Sequence, residues 1–438
     1  MHNELKSLIL KVLASKNTGT LMNQLCSLRG HLNSITTIET RHNLIVSTDD
    51  HGWIIVWDFH THKALYCWKG HDKTVLTTRI LDDHHILTHS KDSEIRIWDL
   101  SPSQIGKLTS NLPDLTFNEL TYLNDETSSL VAKFPLPKFD SIPVNSLNFC
   151  NIDYHEGLLI TPSTIDSDNF DIYQVDPIDF NISRLIHNCS GFKHYKHHTG
   201  YIEEINGTKR DGFGIIMIAK FVNHERFFIG YESGHLLGFR LEFPSSQSNF
   251  TSTNTTQSRS IINKEPKISL VYYNEFHVPN PILSIEVLDS TQLLVGSTGK
   301  KITVHNIEST DILNDEVREI NVKYKGIQSI QVINNLIVTG TWNGVIKIFD
   351  TKNDFMLVDK HEIKLPRLNT LTSNHHQNDQ LIESSQKFSA LRIQHYNSSI
   401  NSNSKYKNIV LRKKSNKLLV LVGYNNGRLM VFEIDKRE

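Results

Sequence analysis

His71, Ser90 and Asp92 are the residue types of a hydrolytic triad: a hydroxyl nucleophile, a base to take its proton and a carboxylate to orient that base. They fall within one short stretch, "GHDKTVLTTRILDDHHILTHSKDSEIRIWD" (residues 70–99). A nucleophilic Ser is normally lifted on a sharp exposed turn such as G-x-S-x-G, and "THSKDS" offers none. The same stretch opens on Gly-His and closes on Trp-Asp, which are the bounds of a repeat. Read that way, His71, Ser90, Asp92 and Trp98 tie the Gly-His turn to the second and third strands through buried hydrogen bonds. An unpaired polar group there would cost about 1–3 kcal/mol.

Copies of the stretch separate chemistry from wiring. The first has His31 and Trp57, with His51 where an Asp is expected, and the sixth has Asn343 and Phe349. The third, fourth, fifth and seventh close on Tyr173, Phe239, His305 and Phe432 and lack a Gly-His ahead of their first strand. An active site occurs once and intact, whereas a scaffold element tolerates decay. The expectation is a structural network built on His71, Ser90, Asp92, Trp98, His31 and Trp57, with no catalytic residue, cofactor or metal. "KHYKHH" (193–198) and "DDHH" (82–85) lack Cys partners or an H-E-x-x-H helix, and 23 His make such clusters commonplace. "DSDNFD" (166–171) lacks the Gly and Glu of a calcium loop. "LRKKSNK" (411–417) reads as a solvated basic loop.

The elements that hold these residues repeat seven times: apolar strand, turn, apolar strand, tight polar turn, and a third strand ending on an aromatic or its substitute. Examples are "SITTIE", "NLIVST", "WIIVWD" in the first and "PVNSLNF", "GLLITPS", "FDIYQV" in the third. Gly52, Gly234, Gly344 and Gly427 take the tight turn. Period-two alternation suggests strands with one inner and one outer face. "KALYCWKG" (63–70) and "FMLVDKHEIKL" (355–365) supply fourth strands, and residues 21–30 close the last unit from the other end of the chain. The expected fold is all-β: a seven-bladed WD-repeat β-propeller over 21–438, with a short N-terminal helix over 1–20. Leu5, Leu8, Ile9, Val12 and Leu13 form that helix's apolar stripe. Polar insertions at about 101–130, 243–264, 368–386 and 397–408 read as flexible loops.

With the repeats placed, the chain resembles the fungal ASTRA-associated protein 1 family, and more distantly the animal G-protein-β-subunit-like WD proteins. The resemblance rests on "LRGH" (28–31), "GWIIVWD" (52–58), "LTHSKDSEIRIWDL" (87–100), "PVNSLNFCNID" (143–153), "LLITPSTIDSDNFDIYQV" (158–175) and "NNGRLMVFEI" (425–434). It implies a non-enzymatic scaffold subunit of the nuclear ASTRA complex, involved in chromatin remodelling and linked to maturation of phosphatidylinositol-3-kinase-related kinases. Implied partners are ASTRA components, kinase-maturation factors and AAA+ helicase-like proteins. The fold also hosts peptide readers and ubiquitin-ligase substrate receptors, which are the alternative.

Composition fits a protein-binding role. The 438 residues carry a net charge of −1, so no global field favours nucleic acid or an anionic membrane. No apolar run is long enough to span a membrane. Four Cys without a C-x-x-C pair suggest a reducing compartment rather than a disulfide framework.

Overall fold

The computed structural model describes residues 22–41, 44–103, 136–145, 149–200, 212–243, 266–308, 317–362, 388–396 and 417–434. Within them the chain forms seven antiparallel four-stranded sheets, the blades of a β-propeller. Blade 1 runs from Ile35 to Lys69 and blade 2 from Val75 to Pro143. Blades 3 to 6 span Asp153–Ser190, Ile216–Asn274, Ile282–Asn321 and Ile327–Glu362. Blade 7 takes three strands between Phe388 and Ile434, and its outermost strand is Met22–Arg29. That strand runs antiparallel to the third strand, from Met22 opposite Ile434 to Arg29 opposite Arg428. First and last segments thus share one sheet, which removes the two open edges that an unclosed ring would expose.

Innermost strands of neighbouring blades pack on one another around the axis. Because each blade is a meander, the links into the innermost strands and the turns between second and third strands lie on one face, called here the entry face. The first-to-second and third-to-fourth connections lie on the opposite face.

The middle strands are buried on both sides. All five residues of Leu158–Pro162 are buried, as are the first five of Trp53–Asp58. Blades stack face to face, so a middle strand has no solvent side, and its sequence becomes a continuous apolar run. This corrects the expectation of one inner and one outer face per strand. The outermost strand Met356–Glu362, by contrast, is mostly exposed. Trp57, Trp68 and Trp98 are fully buried between blades, with Trp68 and Trp98 edge to face at 5.4 Å.

Two further points differ from the sequence reading. "PVNSLNF" does not open blade 3: Pro143 ends the outer strand of blade 2, and the innermost strand of blade 3 is Asp153–His155. Between blades 3 and 4 lies helix α1, Gly191–Thr199, capped by Ser190 and ended by Gly200 in the left-handed region. "KHYKHH" therefore lies on a helix, which strand periodicity had no means of revealing. The expected N-terminal helix over 1–20 lies outside the described residues. So do the polar insertions, apart from residues 101–103 and 243.

Candidate functional site

The residues of the opening stretch meet as a buried hydrogen-bond chain. His71 Nδ1 lies 2.9 Å from Asp92 Oδ2, and His71 Nε2 lies 2.7 Å from Thr88 Oγ1. Trp98 Nε1 donates to the same Thr88 hydroxyl at 2.8 Å. The hydroxyl between imidazole and indole is thus Thr88, not Ser90. Ser90 lies two residues further along the same strand, where its hydroxyl donates to Lys73 and Thr74 carbonyls and accepts from the Asp92 N–H. Burial alone would raise the Asp92 carboxyl, but the His71 hydrogen bond and charge and the Asp72 N–H hold it below the usual range.

Blade 1 carries the same chain with its acid moved. His31 Nδ1 meets Asp49 Oδ2 at 2.9 Å, and His31 Nε2 and Trp57 Nε1 share Ser47 Oγ at 2.8 Å each. The His51 ring is exposed and turns to Asp50; only its backbone N–H joins the chain, donating to Asp49 Oδ1 at 3.0 Å. Asp49 ends the second strand, where blade 2 has Ser90, so the carboxylate reaches the imidazole from two residues earlier. The expectation that blade 1 lacks its acid is corrected.

Elsewhere the chain is rewritten. In blade 5, His277 Nε2 meets Thr303 Oγ1 at 2.8 Å, Thr303 meets His305 Nε2 at 2.7 Å, and Tyr272 Oη meets His305 Nδ1 at 2.7 Å. Burial pushes His277 down to about 4; burial, with the neighbouring His277, pushes His305 down to about 3. In blade 3 the fully buried Asp171 accepts from Tyr173 Oη and from the Asn188 N–H. Blade 6 keeps a relic: Thr339 stands where Thr88 does, but Phe349 replaces the indole, and the buried Thr339 hydroxyl has no hydrogen-bond partner among the described residues.

Turn glycines couple one blade to the next. A Cβ on Gly52, at φ +86°, would lie 2.0 Å from the His71 carbonyl oxygen, and one on Gly427, at φ +74°, 2.3 Å from that of His31. The turn of the preceding blade presses directly on the backbone of the buried histidine. Only Gly leaves room there.

Around the axis lies a set of charges that the sequence reading missed. The fifth residues of six innermost strands are Glu39, Arg79, Lys220, Glu286, Gln331 and Arg392. Asp153 takes the place in blade 3. Arg79 lies 3.6 Å from Glu39 and 3.1 Å from Asp153. Lys220 meets Glu286 at 3.5 Å, Gln331 joins Glu286 to Arg392, and Arg392 meets Glu39 at 2.5 Å, so one arc of contacts runs from Asp153 round to Lys220. Three acids face three bases, so the belt neutralises itself. The channel it crosses has a volume of about 150 Å³ and is lined by six innermost strands and, from blade 3, by Asn151 just before its strand.

The entry face has a different character. Leu32, Phe149, Ile165, Phe276, Val278 and Trp342 are large, apolar and exposed, and all lie on its links and turns. The cysteines are not poised for attack: burial raises the thiols of Cys26, Cys67 and Cys150, and pushes Cys189 up to about 12. Among the described residues no group of three or more His, Cys, Asp or Glu is placed to hold a metal, and no helix is long and apolar enough to cross a membrane.

A family model described as ASTRA-associated protein 1 matches residues 24–432, nearly the whole chain. The chain belongs to the ASTRA-associated protein 1 family. Among its relatives, the ASTRA-associated protein 1 of Debaryomyces hansenii is 33% identical over 94% of this chain and 99% of its own. That of Meyerozyma guilliermondii is 32% identical over 93% and 98%, and that of Candida albicans (strain WO-1) 30% over 93% and 98%.

In this ASTRA-associated protein 1 family member, several parts of the network escaped sequence reasoning for one reason. Ser47, Thr88 and Thr303 are ordinary strand residues whose role depends on cross-strand register. The axial belt did have a signal. Aligning the first strands of the repeats would have shown a charged or amide side chain at one position in blade after blade.

Proposed function

We propose that this protein is a non-enzymatic scaffold subunit of the nuclear ASTRA complex, acting in chromatin remodelling and in maturation of phosphatidylinositol-3-kinase-related kinases. The observation that carries the scaffold reading is the exposed apolar set on the entry face. Six large side chains on loops held by a rigid ring are the anchors a protein partner buries. The axis supports the same reading from the other side. Its charges are matched among themselves, so it presents no net field to an ionic ligand. The assembly is drawn from the names of the relatives, and the nuclear site from the family resemblance alone. Kinase-maturation factors and AAA+ helicase-like proteins are the partners proposed with it.

Purification of a tagged chain from fungal nuclei tests this reading. ASTRA components should be recovered in stoichiometric amounts, and depletion of the protein should lower the level of the kinases. A clean monomer under gentle conditions, or a protein confined to the cytosol, would overturn it.

A further inference from the structure

The outermost strand of blade 6 carries an apolar run that no other described element covers. Met356, Leu357 and Val358 are 56%, 45% and 42% exposed in immediate succession. Outer propeller strands normally blunt their edges with charge or short length. The outer strand of blade 3, for comparison, exposes Ser183, Arg184 and His187. Three consecutive exposed apolar residues on an edge strand call for a cover.

What lies beside this run is the start of the described chain. Met22 is buried between blades 6 and 7, among Val338, Ile346, Ile348 and Leu391. Its N–H donates to Asp359 Oδ2 at 2.9 Å, one residue beyond the run. Register places both on the same face of the ring: Met356 pairs with Asp350 and Met22 with Ile434, each at the end of a third strand. Met22, from which the preceding segment starts, therefore lies on the face of the ring where Met356 lies and beside Asp359. That segment holds the stripe Leu5, Leu8, Ile9, Val12 and Leu13. As a helix the stripe is about 13 Å long, against about 10 Å for three strand residues. The nine-residue interval from Leu13 to Met22 reaches at most about 30 Å, ample for folding back. Glu362, at the opposite end of the same strand, is followed in sequence by 363–387, which carries no such stripe.

We infer that residues 5–13 dock as an amphipathic helix on the outer strand of blade 6, with the stripe packed over Met356, Leu357 and Val358. The segment then acts as a clasp across the joint between blades 6 and 7, beside the strand that closes the ring. This inference is independent of the partners proposed above.

Hydrogen exchange read by mass spectrometry tests it on three proteins: the full chain, a chain shortened to begin at Leu21, and the full chain carrying Leu8→Asp and Val12→Asp. Amides over 356–362 should exchange about tenfold faster in both altered proteins, while amides over 94–99 stay unchanged. Protection in the full chain should be independent of protein concentration. Equal exchange over 356–362 in the full chain and the double variant would overturn the inference. So would protection that disappears on dilution, because a second copy would then be the occupant. If shortening speeds exchange throughout the ring, the double variant alone decides.

Discussion

Thr88 and Thr339 occupy one register position in two blades, and their surroundings give them opposite worth. Thr88 takes the Trp98 indole N–H and lies 2.7 Å from His71 Nε2, whereas the Thr339 hydroxyl is buried with no partner. Thr88→Val should cost about 2 kcal/mol by stranding two buried groups, and Thr339→Val should be neutral or stabilising. Urea unfolding of the two variants checks this, and equal losses would remove the wiring account. Acid exposes a second residue-scale effect. His277 and His305 are held down to about 4 and about 3, against an unfolded value of about 6.5. Their stabilisation is fully present above pH 6.5. Below it the unfolded chain takes up protons that the folded chain refuses, so stability falls as pH drops toward 4. At pH 5 the loss should be about 2 kcal/mol per histidine. Unfolding midpoints of His277→Gln/His305→Gln between pH 7 and 4.5 should show a flatter profile than the parent.

Among the elements, the innermost strands and the turn glycines define how blades join. Arg79 alone answers both Glu39 and Asp153, from one strand to its two neighbours. Removing it leaves two largely buried carboxylates with one compensating cation fewer. Arg79→Met should therefore cost about 3 kcal/mol, measured as a shift in denaturant midpoint, with a loss below 1 kcal/mol contradicting a role in blade joining. How much of this was legible depended on which interaction fixed the residue. Trp57, Trp98, His31, His71 and the turn glycines stand at fixed offsets from the ends of each repeat, so sequence spacing exposed them. Ser47, Thr88 and Asp49 act across strands, and one residue's shift in the acid moved blade 1 off the pattern. Helix α1 and the first strand of blade 3 were hidden because each departs from the repeat whose regularity guided the reading.

On the scale of the whole molecule, closure of the ring, its matched axial charges and its apolar entry face form one arrangement. The outermost strand of blade 7 comes from Met22–Arg29 and ties the two ends of the propeller together. Burial of both faces of the middle strands makes the blades rigid, and that rigidity holds Ile165, Phe276 and Trp342 at fixed places on exposed loops. Seven degenerate repeats made this architecture readable from sequence, but which loops stay bare depends on contacts between blades. Those contacts leave no periodic trace. Substituting Ser at Ile165, Phe276 and Trp342 together and measuring recovery of ASTRA components on the tagged protein tests the scaffold claim most directly. Recovery is expected to fall at least about tenfold while the melting temperature moves by no more than about 5 °C. Undiminished recovery from a folded triple variant would contradict the account.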